Sequence, residues 1–111
     1  MDEITPVDTQ DIETTLVTMV FLANDAPALS AVLSRYVVLT RGEPGCRNVD
    51  FCVSSTQPNR FVIVQKWTSP DAARTHFDSA PMIDMAKLCN GLLDTAPQID
   101  LLDTISAHDV A

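Results

Sequence analysis

A chain of 111 residues is enough for one domain with a real core, since folding at this size buries roughly two thirds of the unfolded surface. Apolar residues make up 46% and charged residues 20%, a globular balance and not a disordered one. The net charge of −8 repels phosphate backbones and anionic membrane surfaces, so nucleic acid and membrane are excluded as partners, and no apolar run approaches the ~20 residues of a membrane helix.

Residues 1–13 carry Asp2, Glu3, Asp8, Asp11 and Glu13 with little apolar pattern and read as a flexible acidic arm. They lack the positive start and apolar middle of an export signal. Residues 14–23 are β-branched and aromatic and predict a first strand. Leu16, Val20 and Leu22 fall on one face and Val17, Met19 and Phe21 on the other, so both faces need cover. Asn24-Asp25-Ala26-Pro27 predicts a helix start with a capping side chain, Asn24 being read as a cap. Leu29, Val32, Leu33, Tyr36 and Val37 then repeat with helical spacing until Gly42-Glu43-Pro44-Gly45.

Residues 46–54 predict a second strand, and 60–67 a third that is apolar on both faces. The turn at 55–59 between them makes the pair a hairpin. Ser69-Pro70 starts a short helix that carries His76. Ala80-Pro81 starts another, whose stripe of Met82, Met85, Ala86, Cys89, Leu92 and Leu93 predicts a helix reaching the Ala96-Pro97 break. Residues 99–105 alternate as a fourth strand, and 106–111 read as a loose tail holding a solvated His108.

The order β-α-β-β-α-α-β predicts an α+β, ferredoxin-like split βαβ domain over residues 14–105, an antiparallel four-stranded sheet with helices on one face. The other face stays apolar through the first and third strands, which predicts a homodimer with the two sheets face to face and room for a cavity. Cys46, Cys52 and Cys89 lack the spacing of a disulfide framework and read as reduced packing residues in a cytoplasmic protein. No dinucleotide, phosphate-loop or metal-ligand motif appears, so no cofactor is predicted.

Three short motifs occur in a fixed order: Glu43-Pro44-Gly45-Cys46, the apolar run from Phe61 to Trp67, and Ser69 through His76. This ordered set resembles the antibiotic biosynthesis monooxygenase family, which includes small quinol monooxygenases, over most of the chain. One position departs: Gln65 stands two residues before Trp67, where the family usually places Glu. The resemblance implies a dimeric α+β barrel. For enzymatic members it implies oxygenation of hydroxylated aromatic or quinol substrates without flavin, haem or metal. Once deprotonated, such a substrate reduces O₂ itself, and the protein supplies a dry cavity, a base and orientation.

On that reading His76 is the candidate base, because imidazole titrates near neutrality, or a helix-corner residue bonded to backbone. Trp67 walls the substrate cavity or anchors the strand end in the core. Tyr36, Asn24, Arg60 and Gln65 are the candidate substrate-binding residues. Tyr36 reads first as core, Asn24 first as a helix cap, and Arg60 either holds an anionic substrate or is a solvated hairpin residue. Two other readings accompany the family. One is a non-catalytic dimeric ligand-binding or stress-related module. The other is a haem-degrading relative, which ranks below because residues 82–93 hold no histidine to ligate iron. A ligand-sensing regulatory domain ranks lowest.

Overall fold

The computed structural model describes residues 14–107, so the predicted acidic arm at 1–13 and His108 lie outside the described residues. The elements follow the order read from the sequence: β1 (Thr15–Leu22), α1 (Ala26–Arg41), β2 (Cys46–Val53), β3 (Arg60–Trp67), α2 (Pro70–Phe77), α3 (Ala80–Leu88) and β4 (Gln98–Asp103). The strands form one antiparallel sheet in the order β2-β3-β1-β4. This is the α+β, ferredoxin-like fold.

The three helices among the described residues begin alike, with a short polar cap and a proline at the first or second helical position. Asp25 accepts from the Ala28 amide at 3.1 Å, Ser69 from Ala72 at 3.1 Å and Ser79 from Met82 at 3.4 Å. Each cap satisfies an amide that the first turn leaves without a partner, and proline has no such amide to satisfy. The cap of α1 is therefore Asp25 and not Asn24. Asn24 instead donates to the carbonyls of Gly91 and Leu93 at 3.1 and 3.5 Å, tying the end of β1 to the segment after α3.

The predicted last helix is also corrected. It stops at Leu88, because Asn90-Gly91 turns the chain and Gly91 takes a φ of +84°, open to glycine at little cost. Cys89 remains buried, and Leu92 and Leu93 still pack on the core, so the apolar stripe is real although its last part is a turn.

Alternation along the strands sorts the sheet into two faces. Val17, Met19 and Phe21 on β1 and Phe61, Ile63, Gln65 and Trp67 on β3 are buried beneath the helices. Leu29, Leu33, Tyr36 and Val37 of α1 close the core over them. On the open face Leu16, Val20 and Leu22 stand beside Val62 and Val64, all half-buried. Cys52 lies on that open face opposite Val62 and is exposed, so it does not pack within this chain as predicted, whereas Cys89 is buried and Cys46 half-buried.

Candidate functional site

Because Gln65 and Trp67 share parity with Phe61 and Ile63, the end of β3 delivers both side chains to the helix face. The chamber expected from the sequence lies between two sheets, whereas these two side chains lie on the opposite, helix-covered face. α1 supplies Tyr36 from above, and α2 supplies His76 from the strand–helix corner that Ser69-Pro70 creates. Gln65, Trp67, Tyr36 and His76 are all buried, which makes them the polar heart of the core.

A buried polar group must find partners, and here the partners form a line. The Trp67 indole N–H, a donor only, lies 2.8 Å from Gln65 Oε1, which fixes the orientation of that amide. Gln65 Nε2 then donates to Tyr36 Oη at 2.6 Å. Tyr36 has one proton to give, and His76 Nε2 stands 2.5 Å away. At the far side of the ring, His76 Nδ1 lies 2.7 Å from Glu43 Oε1. A carboxylate only accepts, so Nδ1 carries a ring proton, and the Nδ1–H tautomer is assigned in which Nε2 accepts from tyrosine. Read from either end, the five side chains give one consistent direction, from Trp67 to Glu43. Tyr36 has a second, weaker acceptor in Met19 Sδ at 3.6 Å.

Packing holds the line in place. The Trp67 and His76 rings stack with centroids 4.8 Å apart, and the Tyr36 and His76 rings tilt at 5.5 Å. Burial pushes the Tyr36 hydroxyl up from 10.0 to about 12, against a smaller downward pull from the Gln65 bond. Burial likewise raises the Cys46 and Cys89 thiols, so neither is an activated thiolate.

Outside the ring lies an open recess of about 610 Å³, walled by Glu43, Pro44, Gly45, Thr68, Ala72, Thr75, His76, Asp78 and Ser79. The Glu43 side chain is 16% exposed, whereas that of His76 is fully covered. Glu43 reaches this position from the turn between α1 and β2. Its amide bonds the Thr40 carbonyl at 3.0 Å and its carbonyl accepts from Cys46 at 3.1 Å. In the sequence Glu43 belongs to the Glu43-Pro44-Gly45-Cys46 motif and is not among the candidate site residues. The signal available was the hairpin register, which pairs Cys46 with Trp67 and brings the preceding turn to the Trp67 end.

Of the six predicted site residues, the structure gathers Tyr36, Gln65, Trp67 and His76. Arg60 lies seven positions along β3 from Trp67, a span of roughly 23 Å, and lines a crevice of about 160 Å³ with Val20, Leu22 and Gln98. Asn24 holds the loop after α3 at that same end of the sheet. Among the described residues no cluster of His, Cys, Asp and Glu could hold a metal ion, and no helix is long and apolar enough to cross a membrane.

Solved structures share this fold. Rv0793 from Mycobacterium tuberculosis is 25% identical, with a TM-score of 0.78 over 84% of this chain and 96% of its own. NE2512 from Nitrosomonas europaea is 16% identical, with a TM-score of 0.80 over 91% and 98%. SnoaB from Streptomyces nogalater, a cofactor-independent oxygenase, is 18% identical, with a TM-score of 0.72 over 86% and 95%. A search of curated proteins returns no match. The family model for antibiotic biosynthesis monooxygenases matches residues 19–88, from the middle of β1 to the end of α3, and so spans every member of the hydrogen-bonded line. By that match over well more than half its length, the chain belongs to the antibiotic biosynthesis monooxygenase family.

Proposed function

We propose that this protein is a cofactor-independent monooxygenase acting on a hydroxylated aromatic or quinol that docks in the recess beside Glu43 and His76. The observation that carries the reading is a buried phenol–imidazole–carboxylate line, opening on a recess large enough for a fused-ring substrate, in a chain of this family. Deprotonation gives an electron-rich anion that reduces O₂ directly. One oxygen atom enters the ring carbon, and the other leaves as water with the hydroxyl proton and the hydrogen that the ring carbon carried. The Tyr36–His76–Glu43 unit supplies the base, and Trp67 backs the imidazole and fixes its plane.

The working form in this reading is a homodimer closed over the open sheet face, in the cytoplasm, where Cys46, Cys52 and Cys89 stay reduced. The purified protein then sediments at twice the chain mass. Oxygen uptake is measured with a panel of dihydroxynaphthalenes and anthrones. The expected result is uptake above buffer that falls by roughly 10²-fold in His76→Ala. A flat trace across the whole panel overturns the reading. One observation favours a second reading, a non-catalytic ligand-binding dimer: both ring nitrogens of His76 are already bonded within the chain. Binding of the same compounds without oxygen uptake would support it.

A further inference from the structure

We infer that the Glu43 carboxylate, and not His76, is the group that meets the substrate hydroxyl and takes its proton. The inference rests on the monooxygenase reading above and names the atoms that carry it out. His76 cannot do this directly. Its side chain is fully covered, Nε2 is bonded to Tyr36 at 2.5 Å and Nδ1 to Glu43 at 2.7 Å. A substrate would have to break one of those bonds and leave a buried polar group unsatisfied. The proton-accepting task therefore falls to an end of the line. The Trp67 end is closed, for the indole is wholly buried and its one N–H is spent on Gln65.

The Glu43 end is open. Its carboxylate stands in the wall of the recess, and among the described residues its only hydrogen-bond partner is His76. An ionised carboxylate offers about four acceptor sites, and the imidazole uses one of them. The rest can receive a hydroxyl. In the transfer, the substrate O–H bond breaks, the proton goes to Glu43 and the electron pair remains on the substrate oxygen. His76 Nδ1–H stays bonded to the carboxylate and orients it, which makes His76 a positioning residue. The proton then leaves to water through the recess.

Glu43 is built to hold this position. Gly45, two residues on, takes a φ of +82°, and its carbonyl accepts from the Thr68 amide at 2.9 Å. The turn is thus fastened to the end of β3. Among the described residues the recess wall also carries Asp78 and no lysine or arginine. Two carboxylates without a cation disfavour an anionic ligand, so the substrate class is a neutral hydroxyaromatic.

The chain has only three glutamates, which makes the side-chain carboxyl carbon of Glu43 assignable in a ¹³C spectrum by its loss in Glu43→Gln. The full-length protein is titrated with 2-naphthol, with naphthalene as the hydroxyl-free control. The Glu43 signal is expected to move with 2-naphthol and stay fixed with naphthalene. A Glu43 signal that does not move at millimolar 2-naphthol overturns the inference. With any turned-over member of the panel, Glu43→Gln is expected to lower kcat roughly 10²-fold with KM within about threefold, and Glu43→Asp, which keeps the carboxylate, to recover part of that loss. Equal kcat in wild type and Glu43→Gln overturns the inference while leaving the monooxygenase reading intact. A Glu43 shift without oxygen uptake by the wild type sinks the monooxygenase reading and keeps Glu43 as the hydroxyl-binding group.

Discussion

Tyr36 joins the two halves of the hydrogen-bonded line at one oxygen. It accepts from Gln65 and faces His76, and burial raises its hydroxyl to about 12. Below pH 10 the hydroxyl is protonated in the folded and the unfolded chain alike, and the stabilisation is whole. As pH rises the unfolded chain loses its proton first, so stability falls between pH 10 and about 12, by of the order of 2–3 kcal/mol. Tyr36 is the only tyrosine, so tyrosinate absorbance reports on it alone. The expected midpoint is near 12 in the folded protein and near 10 in urea; a folded midpoint near 10 would contradict the burial account. Gln65 has a physical reason to differ from the usual glutamate. A glutamate here would accept the Tyr36 proton, and His76 would have to donate from both nitrogens between two carboxylates. Glutamine donates to Tyr36 instead, and a neutral imidazole completes the line. Trp67 and His76 were legible in the sequence because a strand–helix corner with its own cap and proline fixes their spacing. Glu43 was not, because 33 positions separate it from His76 and only the folded turn brings them together.

Among the elements, the turn between α1 and β2 decides whether the site exists. A β-carbon on Gly45 would lie 2.7 Å from the Ala72 β-carbon, which is tied to the α2 backbone and cannot swing aside. Gly45→Ala is therefore expected to cost roughly 1–2 kcal/mol for its positive φ and about 1–3 kcal/mol more for overlap, read by urea unfolding. Gly91→Ala is the control: its φ is similar, but nothing lies within 4 Å, so only the first cost applies. Equal losses at the two positions would contradict the close contact between turn and helix. The strands were legible because period-two apolar runs end in clear turn residues; β3 begins and ends at the residues read from sequence. The end of α3 was not, because Cys89, Leu92 and Leu93 keep helical spacing through a turn that only the Gly91 backbone angle makes. β4 is exposed along its whole length as an edge strand, and its alternation could not say which of its residues the helices leave uncovered.

At the scale of the whole molecule the sheet divides the labour. The helix face holds the line from Trp67 to Glu43, and the open face holds Leu16, Val20, Leu22, Val62 and Val64, with Arg60 and Lys66 at the two ends of β3. The apolar excess on both faces of β1 and β3 was plain in the sequence. Which face would hold the polar side chains of β3 was not, because parity relative to the core shows only once the helices are in place. Every member of the line comes from one chain, so the site's polarity is a property of the single fold. The ¹⁵N spectrum of the His76 ring, assigned against the only other histidine, His108, measures that polarity directly. The account predicts a neutral ring with the proton on Nδ1 and a bare Nε2. A proton on Nε2 with Nδ1 bare would reverse the line and contradict it.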